Sequence, residues 1–412
     1  MENKILFNLN DPGQLEKLYR EDKLEFKRAF NALYPDVKDQ VSAKYWYERL
    51  NYTVGDISWG NGLVFVIIAS ILSGIIARLP AILSINEEFF YTRNAGFILF
   101  PALTAYFAWK NKLSPGKMGI LAGTLLVAVL YINVLPGSRE SDTLILACIH
   151  LPLVLWAVLG MAFVGKFKNN THGRLDFLKF NGDLIVMTTL IGIAGAILTG
   201  VTIGLFEVIG LDIEEFYFEN IVIFILPAAP IIGAYLTQTN PNLVGKVSPV
   251  IAKIFSPLVL VMLVIYLIAI LYSGQDIYND REFLLTFNLL LVGVMAIIFF
   301  SVAERSKAST GLVETRILFL LSTLTIVINS IALSAIAFRI SEWGITPNRA
   351  AVLGANILIL INLIWVAVQL FKVLTKKADH TSVGNAIARY LPVYVVWALV
   401  VILLFPLLFE WA

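Results

Sequence analysis

The chain reads as an all-α polytopic integral membrane bundle of about eleven transmembrane helices, preceded by a small N-terminal cytosolic helical unit. Three observations predict this. Of the 412 residues 58% are hydrophobic and only 15% charged, with a mean hydropathy of +0.80, whereas soluble domains sit near half apolar and a quarter charged. Apolar runs close to the roughly 20 residues that cross a bilayer recur from Trp59 onward. Lys and Arg gather in every second loop between those runs. A net charge of +2 implies no nucleic-acid partner, and the single cysteine, Cys148, allows no disulfide within the chain.

Residues 1–57 are charged and lack an apolar leader core, so the first span is expected to serve as its own insertion signal. This unit reads as three helices. Asp11-Pro12-Gly13-Gln14 supplies an N-cap, a first-turn proline and a capping-box glutamine, and Asp22 with Glu25 repeats the box. Pro35-Asp36 is expected to break the second helix and cap a third with Val37, Val41, Tyr45 and Trp46 on one side. Acidic and basic residues nearly balance, which argues against a polybasic anchor. A segment this short builds a small core, so it is expected to meet the membrane domain, a cytosolic protein partner or a second copy of itself.

Residues 58–412 form the transmembrane domain. The runs are Gly62–Leu79, Gly96–Trp109, Gly119–Leu135, Thr143–Val164, Leu184–Phe206, Ile221–Leu236, Ile251–Tyr272, Phe283–Val302, Ile317–Ala337, Ala350–Phe371 and Leu391–Phe409. The second and sixth are short, so the count stands at ten to twelve. Trp59, Trp109, Tyr131, Tyr272, Trp343 and Trp411 sit at run ends, as an interfacial aromatic belt requires. One set of loops carries Lys110, Lys112, Lys117, Lys166, Lys168, Arg174, Lys179, Lys246, Lys253, Arg305, Lys307, Arg316, Lys372, Lys376, Lys377 and Arg389; the other carries only Arg78, Arg93, Arg139, Arg281, Arg339 and Arg349. The positive-inside rule then places the N-terminus in the cytoplasm and the C-terminus outside. Membrane lipids are the surroundings this implies.

One polar turn stands out between two long apolar runs, Arg339-Ile340-Ser341-Glu342-Trp343-Gly344-Ile345-Thr346-Pro347-Asn348-Arg349. Gly344 suits the positive φ that ends a helix, and Thr346-Pro347 reads as an N-cap and first helical residue. Arg339 and Glu342 are spaced to pair. Arg349 falls in a first helical turn, where the dipole disfavours a cation, so it is expected to have a partner. The stretch around this turn resembles the C-terminal signature of a family of bacterial polytopic membrane proteins, the domain of unknown function numbered four-one-five-three. The match lies at Arg339, Gly344, Thr346 and Arg349, with Trp343 and Ile345 in place of the family's Tyr and Leu. The resemblance implies a bacterial inner-membrane protein and brings no activity with it.

Candidate chemistry is sparse. Pro227 and Pro230 interrupt the sixth run and free backbone carbonyls; broken helices mark transport sites in many carriers. His150 is an ionisable residue inside the fourth run. Together with Arg339, Glu342 and Arg349, these form the expected substrate-binding set. Glu87, Glu88, Asp212, Glu214, Glu215 and Glu219, with Glu207, give an acidic outer rim that is a source of partners for the arginines or of oxygen ligands for a divalent cation. Gly192, Ala196, Gly200 and Gly204 lie four apart and are expected to pack helices, within the bundle or between copies. Asn133, Asn329, Asn356 and Asn362 read as interhelical hydrogen-bond glue. Leu175, Phe177, Leu178 and Phe180 among basic residues read as an interfacial helix on anionic lipid. Asn169-Asn170-Thr171 matches a glycosylation sequon on the wrong side of the membrane.

No nucleotide-binding, metalloprotease, nucleophile-elbow or CxxC motif occurs, so no cofactor or metal is expected. Three functional classes follow. The first is a carrier or permease for a small or lipidic solute. The second is a non-catalytic scaffold or sensor recruiting a partner through residues 1–57. The third is an enzyme on lipid-linked substrates that groups Glu87, Glu88 and Arg349.

Overall fold

The computed structural model describes residues 1–51, 62–136, 141–166, 170–209, 211–241, 247–273, 281–305 and 311–410. Trp59, Arg139, Lys168, Asn169, Lys246, Lys307 and Trp411, singled out above, lie outside the described residues, as do the side chains of Arg281 and Arg305. The chain divides into two compact units, Met1–Ser58 and Trp59–Ala412.

The first unit holds four helices, α1 (Glu2–Phe7), α2 (Pro12–Glu21), α3 (Lys23–Val37) and α4 (Val41–Asn51). Asp11 accepts from the backbone N–H of Gly13 and Gln14, and Asp22 from those of Leu24 and Glu25, so both predicted caps form. The unit has its own core, in which Ile5, Leu15, Phe26 and Phe30 are fully buried and Trp46 packs 5.2 Å from Phe26. Two expectations are corrected. Pro35 does not break α3, which runs on to Val37: a proline in the last turn costs only one i→i−4 bond. The buried face of α4 is Ala43, Trp46 and Leu50, leaving Val41 and Tyr45 exposed.

The second unit contains α5 (Leu63–Leu83), α6 (Glu87–Lys110), α7 (Pro115–Val134), α8 (Asp142–Val164), α9 (Thr171–Val208), α10 (Glu214–Tyr217), α11 (Ile223–Thr239), α12 (Ser248–Ser273), α13 (Arg281–Arg305), α14 (Leu312–Trp343), α15 (Pro347–Leu374) and α16 (His380–Leu408). A π-helical turn, Phe218–Val222, joins α10 to α11. Among the described residues there is no strand, and ten helices are long and apolar enough to cross a membrane, with Glu214–Thr239 taken as one. The remaining expected run, Gly96–Trp109, lies on α6. The 24 residues of that helix span about 36 Å at the helical rise, but Glu87, Glu88, Arg93 and Lys110 make it too polar to join the ten.

Arg93 explains why α6 carries a charge inside the unit. It is buried, and its guanidinium donates to the carbonyls of Ile132 at 2.6 Å and Leu135 at 2.9 Å. These lie at the C-terminus of α7, where unpaired carbonyls and the helix dipole favour a cation. Arg93 is therefore a helix cap and not a residue of the outer loop. Asn94 and Asn133 exchange amide hydrogen bonds at 2.9 and 2.8 Å beside it.

Helices α5 to α11 pack around one apolar core and α12 to α16 around a second. Trp156 of α8 packs against both, and α16 returns to lie along α8. Glycines set the closest approaches. A Cβ on Gly74 would collide with Phe224, one on Gly182 with Phe300, and one on Gly354 with Trp397. The expected interfacial helix is the first part of α9, and its apolar residues are buried by protein: Phe177 and Phe180 lie in the first core, with Phe180 stacked 5.0 Å from Phe163, and Leu175 packs against Gly384 of α16. The small-residue stripe of α9 is the reverse case. A Cβ at Gly192, Gly200 or Gly204 meets nothing within 4 Å, and Gly192, Ala196 and Gly200 are exposed. The stripe does not pack within the described bundle.

Candidate functional site

A cleft of about 600 Å³ opens between α5, α6 and the π-turn–α11 segment. Ala77 of α5 forms one edge. Glu87, Tyr91, Ala95, Ile98 and Leu99 of α6 form one wall, and Phe218, Glu219, Val222, Ile223, Leu226, Pro227 and Pro230 form the other. The second wall is irregular for reasons visible in its residues. Pro227 and Pro230 cannot donate to the carbonyls of Ile223 and Leu226, and both of those residues line the cleft. The π-turn just before them widens the helix, a feature concentrated at functional sites.

The opposite wall is held firmly. Tyr91 donates its hydroxyl to the carbonyl of Ala77 at 2.8 Å, which ties α6 to the last turns of α5. Arg78, also on α5, donates to the side-chain oxygen of Asn220 in the π-turn. Gly74 lets Phe224 lie flat against α5. The cleft thus has two carboxylates, a phenol and apolar walls. Among the described residues no Lys or Arg lines it.

The structure brings together four residues that the sequence placed in separate groups: Pro227 and Pro230 from the broken helix, Glu87 and Glu219 from the acidic rim. The rest of the rim serves helix ends. Glu87 and Glu88 stand in the first turn of α6 behind the N-cap Asn86, whose side chain accepts from Phe89 N–H. Asp212 accepts from the backbone N–H of Glu214 at 3.1 Å, and Glu214 and Glu215 open α10. Carboxylates at these positions are favoured by the dipole. Among the described residues no group of three or more His, Cys, Asp or Glu side chains is placed to hold a metal ion.

His150 is not in the cleft. Its Nδ1 lies 2.8 Å from the carbonyl of Leu146 on its own helix, the arrangement of a structural histidine. Arg339, Glu342 and Arg349 are not there either. Gly344 takes φ 75°, and Thr346 caps α15 by accepting from Arg349 N–H. The Arg349 guanidinium donates back to the carbonyls of Trp343 at 3.0 Å and Gly344 at 2.7 Å. The cation that is misplaced for α15 is therefore well placed for the C-terminus of α14. Arg339 and Arg349 lie over the Trp343 ring at 5.4 and 5.6 Å. The expected Arg339–Glu342 ion pair does not form, since the indole face takes the guanidinium instead.

One polar grouping escaped the sequence reading. Lys179 of α9 pairs with Glu304 of α13 at 3.0 Å, with the Asp183 carboxyl beside them; Glu304 is 5% exposed and its second oxygen has no partner. Gly182 admits Phe300 at this same contact. In the second core, Asn329 donates to the Asn356 carbonyl at 3.0 Å and Asn356 to Asn288 at 2.8 Å, as the glue reading expects. Asn362 differs: it is 1% exposed and faces the Tyr394 hydroxyl and not another amide, while the buried Ser322 hydroxyl has no hydrogen-bond partner among the described residues.

Comparison with protein-family models, with curated proteins and with solved structures finds no match to this chain.

Proposed function

We propose that the protein is a carrier or permease for an amphiphilic solute whose polar end is cationic, and that the solute binds in the α5–α6–α11 cleft. One observation carries this: the freed backbone of a twice-proline-broken helix and two carboxylates from different elements line a single cleft. Broken helices at ligand sites supply backbone polar groups that an intact helix cannot. Apolar residues such as Ile98, Leu99 and Leu226 suit a hydrocarbon portion, while Glu87 and Glu219 suit a positive head group. The loop bias in Lys and Arg supports a cytoplasmic N-terminus, which sets the cleft toward the outer side of an inner membrane. The likeness at Arg339–Arg349 to a bacterial membrane-protein family agrees with that location.

The test is efflux of a fluorescent quaternary-ammonium amphiphile from proteoliposomes holding the full-length protein. Wild type is expected to accelerate efflux, and Glu87→Gln with Glu219→Gln to reduce the rate about tenfold, on the scale of two lost charge-assisted contacts. Efflux equal to protein-free liposomes, or unchanged in the double variant, would overturn the reading.

A second reading has its own observation. The N-terminal unit closes its own core yet leaves Phe7, Leu24, Val41 and Tyr45 exposed, with Phe7 at 89%. This supports recruitment of a protein partner through residues 1–57, in which case deleting them abolishes function while the cleft still binds. The enzyme reading gains nothing, because Arg349 does not line the groove that holds Glu87.

A further inference from the structure

A second groove, of about 780 Å³, lies between α6 and α7 at the opposite end of α6, with Phe65 of α5 at its back. Its walls are apolar, from Pro101 and Ala105 on α6 to Leu121 and Leu125 on α7. Among the described residues the charged side chains that line it are Lys110 and Lys112, and no carboxylate does. Pro101 and Lys110 are nine positions apart on α6, so the groove follows about 13 Å of helix. That length exceeds a head-group site and suits the upper part of an acyl chain.

The mouth is built to be positive and fixed. Asn111 donates its amide to the carbonyls of Ala162 and Phe163 at 2.9 and 2.8 Å, which locks the α6–α7 turn to the end of α8. The Lys117 ammonium donates to the Gly165 carbonyl at 2.7 Å and fastens the first turn of α7 to the same place. Lys112 adopts φ 48°, a left-handed conformation that a lysine takes up only where the surrounding turn imposes it. Lys110 reaches a neutral acceptor, the Gln238 side chain at 2.7 Å, and pairs with no carboxylate among the described residues. The α7 N-terminus opens at the same turn. Ser114 makes no side-chain cap and the first turn holds no acidic residue, so helix N–H groups add to the positive field. Trp109 stands half exposed beside the groove, as an interfacial indole does. Of the ten apolar spans, α7 is the least buried by its own chain.

We infer that this groove is a binding site for an anionic phospholipid, with one acyl chain along α6–α7 and the phosphate between Lys110, Lys112 and the N-terminus of α7. Charge complementarity selects the head group, and the apolar length behind the lysines selects a lipid over a free anion. The site is independent of the outer cleft and stands or falls apart from the carrier reading.

The test is native mass spectrometry of the full-length protein released from detergent containing equimolar phosphatidylglycerol and phosphatidylcholine with identical acyl chains. Wild type is expected to retain phosphatidylglycerol at least fivefold over phosphatidylcholine. Lys110→Gln with Lys112→Gln is expected to abolish that preference, and Lys110→Arg with Lys112→Arg to keep it, which separates lost charge from lost folding. Leu121→Trp, filling the groove, is expected to displace the lipid. Equal retention of the two lipids by wild type overturns the inference. So does a preference that survives the glutamine pair, or displacement of phosphatidylglycerol by millimolar inorganic phosphate.

Discussion

The Arg339–Arg349 turn and the α5–α6–α11 cleft carry similar chemistry and use it in opposite ways. In the turn, both arginines lie over Trp343, and Arg349 is used up on the carbonyls of Trp343 and Gly344. In the cleft, two prolines withhold hydrogen bonds from Ile223 and Leu226, and the Glu87 and Glu219 side chains line open space. A polar residue whose partners are all within reach stabilises a helix end. One held beside a cavity is available to a ligand. The most conspicuous motif in the chain is thus a well-made cap, and the proposed site is assembled from residues that look ordinary one at a time.

Four substitutions break or sharpen this contrast. The largest effect is expected where a buried charge is left alone. Lys179→Met strips Glu304 of its ammonium partner and should destabilise the protein by about 3 to 5 kcal/mol, read as a fall in thermal midpoint that Lys179→Met with Glu304→Gln largely restores. Next is Gly74→Leu, whose side chain meets Phe224 at the floor of the α5–α11 contact. It should cost roughly 2 to 3 kcal/mol through overpacking and weaken ligand binding by displacing the cleft wall. Arg349→Met removes the cap on α14 and should cost about 1 kcal/mol, seen as faster hydrogen exchange in the last turn of α14 with cleft binding unchanged. The smallest effect is at Gly200→Leu. The spacing of the stripe predicts loss of assembly, but the open space around Gly200 predicts an unchanged melting profile for the chain. A shift confined to size-exclusion elution would assign the stripe to contact between copies.

What was legible in the sequence follows from range. The caps at Asp11, Asp22 and Thr346 and the helix stop at Gly344 involve residues a few positions apart, and each forms as read. The apolar runs are equally local and find ten of the eleven spans, although α9 and α16 begin at Thr171 and His380, well before the runs at Leu184 and Leu391. Contacts across the bundle were not legible. Arg93 reaches Ile132, Lys179 reaches Glu304 and Arg78 reaches Asn220 across 39, 125 and 142 positions, and no period in the chain announces such pairs. The α9 stripe failed for a related reason: spacing shows that a face is smooth, but only neighbours decide whether it is covered. For Arg93 and Lys179 a signal did exist. Each is a charge near the margin of an apolar run, and loop counting assigned it to a loop when a nearby helix end or carboxylate was waiting for it.

The central claim is that the cleft, and not the turn, receives a ligand. Equilibrium binding of tetraphenylphosphonium to three purified full-length proteins tests it most directly: wild type, Glu87→Gln with Glu219→Gln, and Arg349→Met. Saturable binding by wild type and by Arg349→Met, weakened about tenfold in the double variant, is the predicted result. Binding lost in Arg349→Met and retained when both carboxylates are neutralised would contradict it.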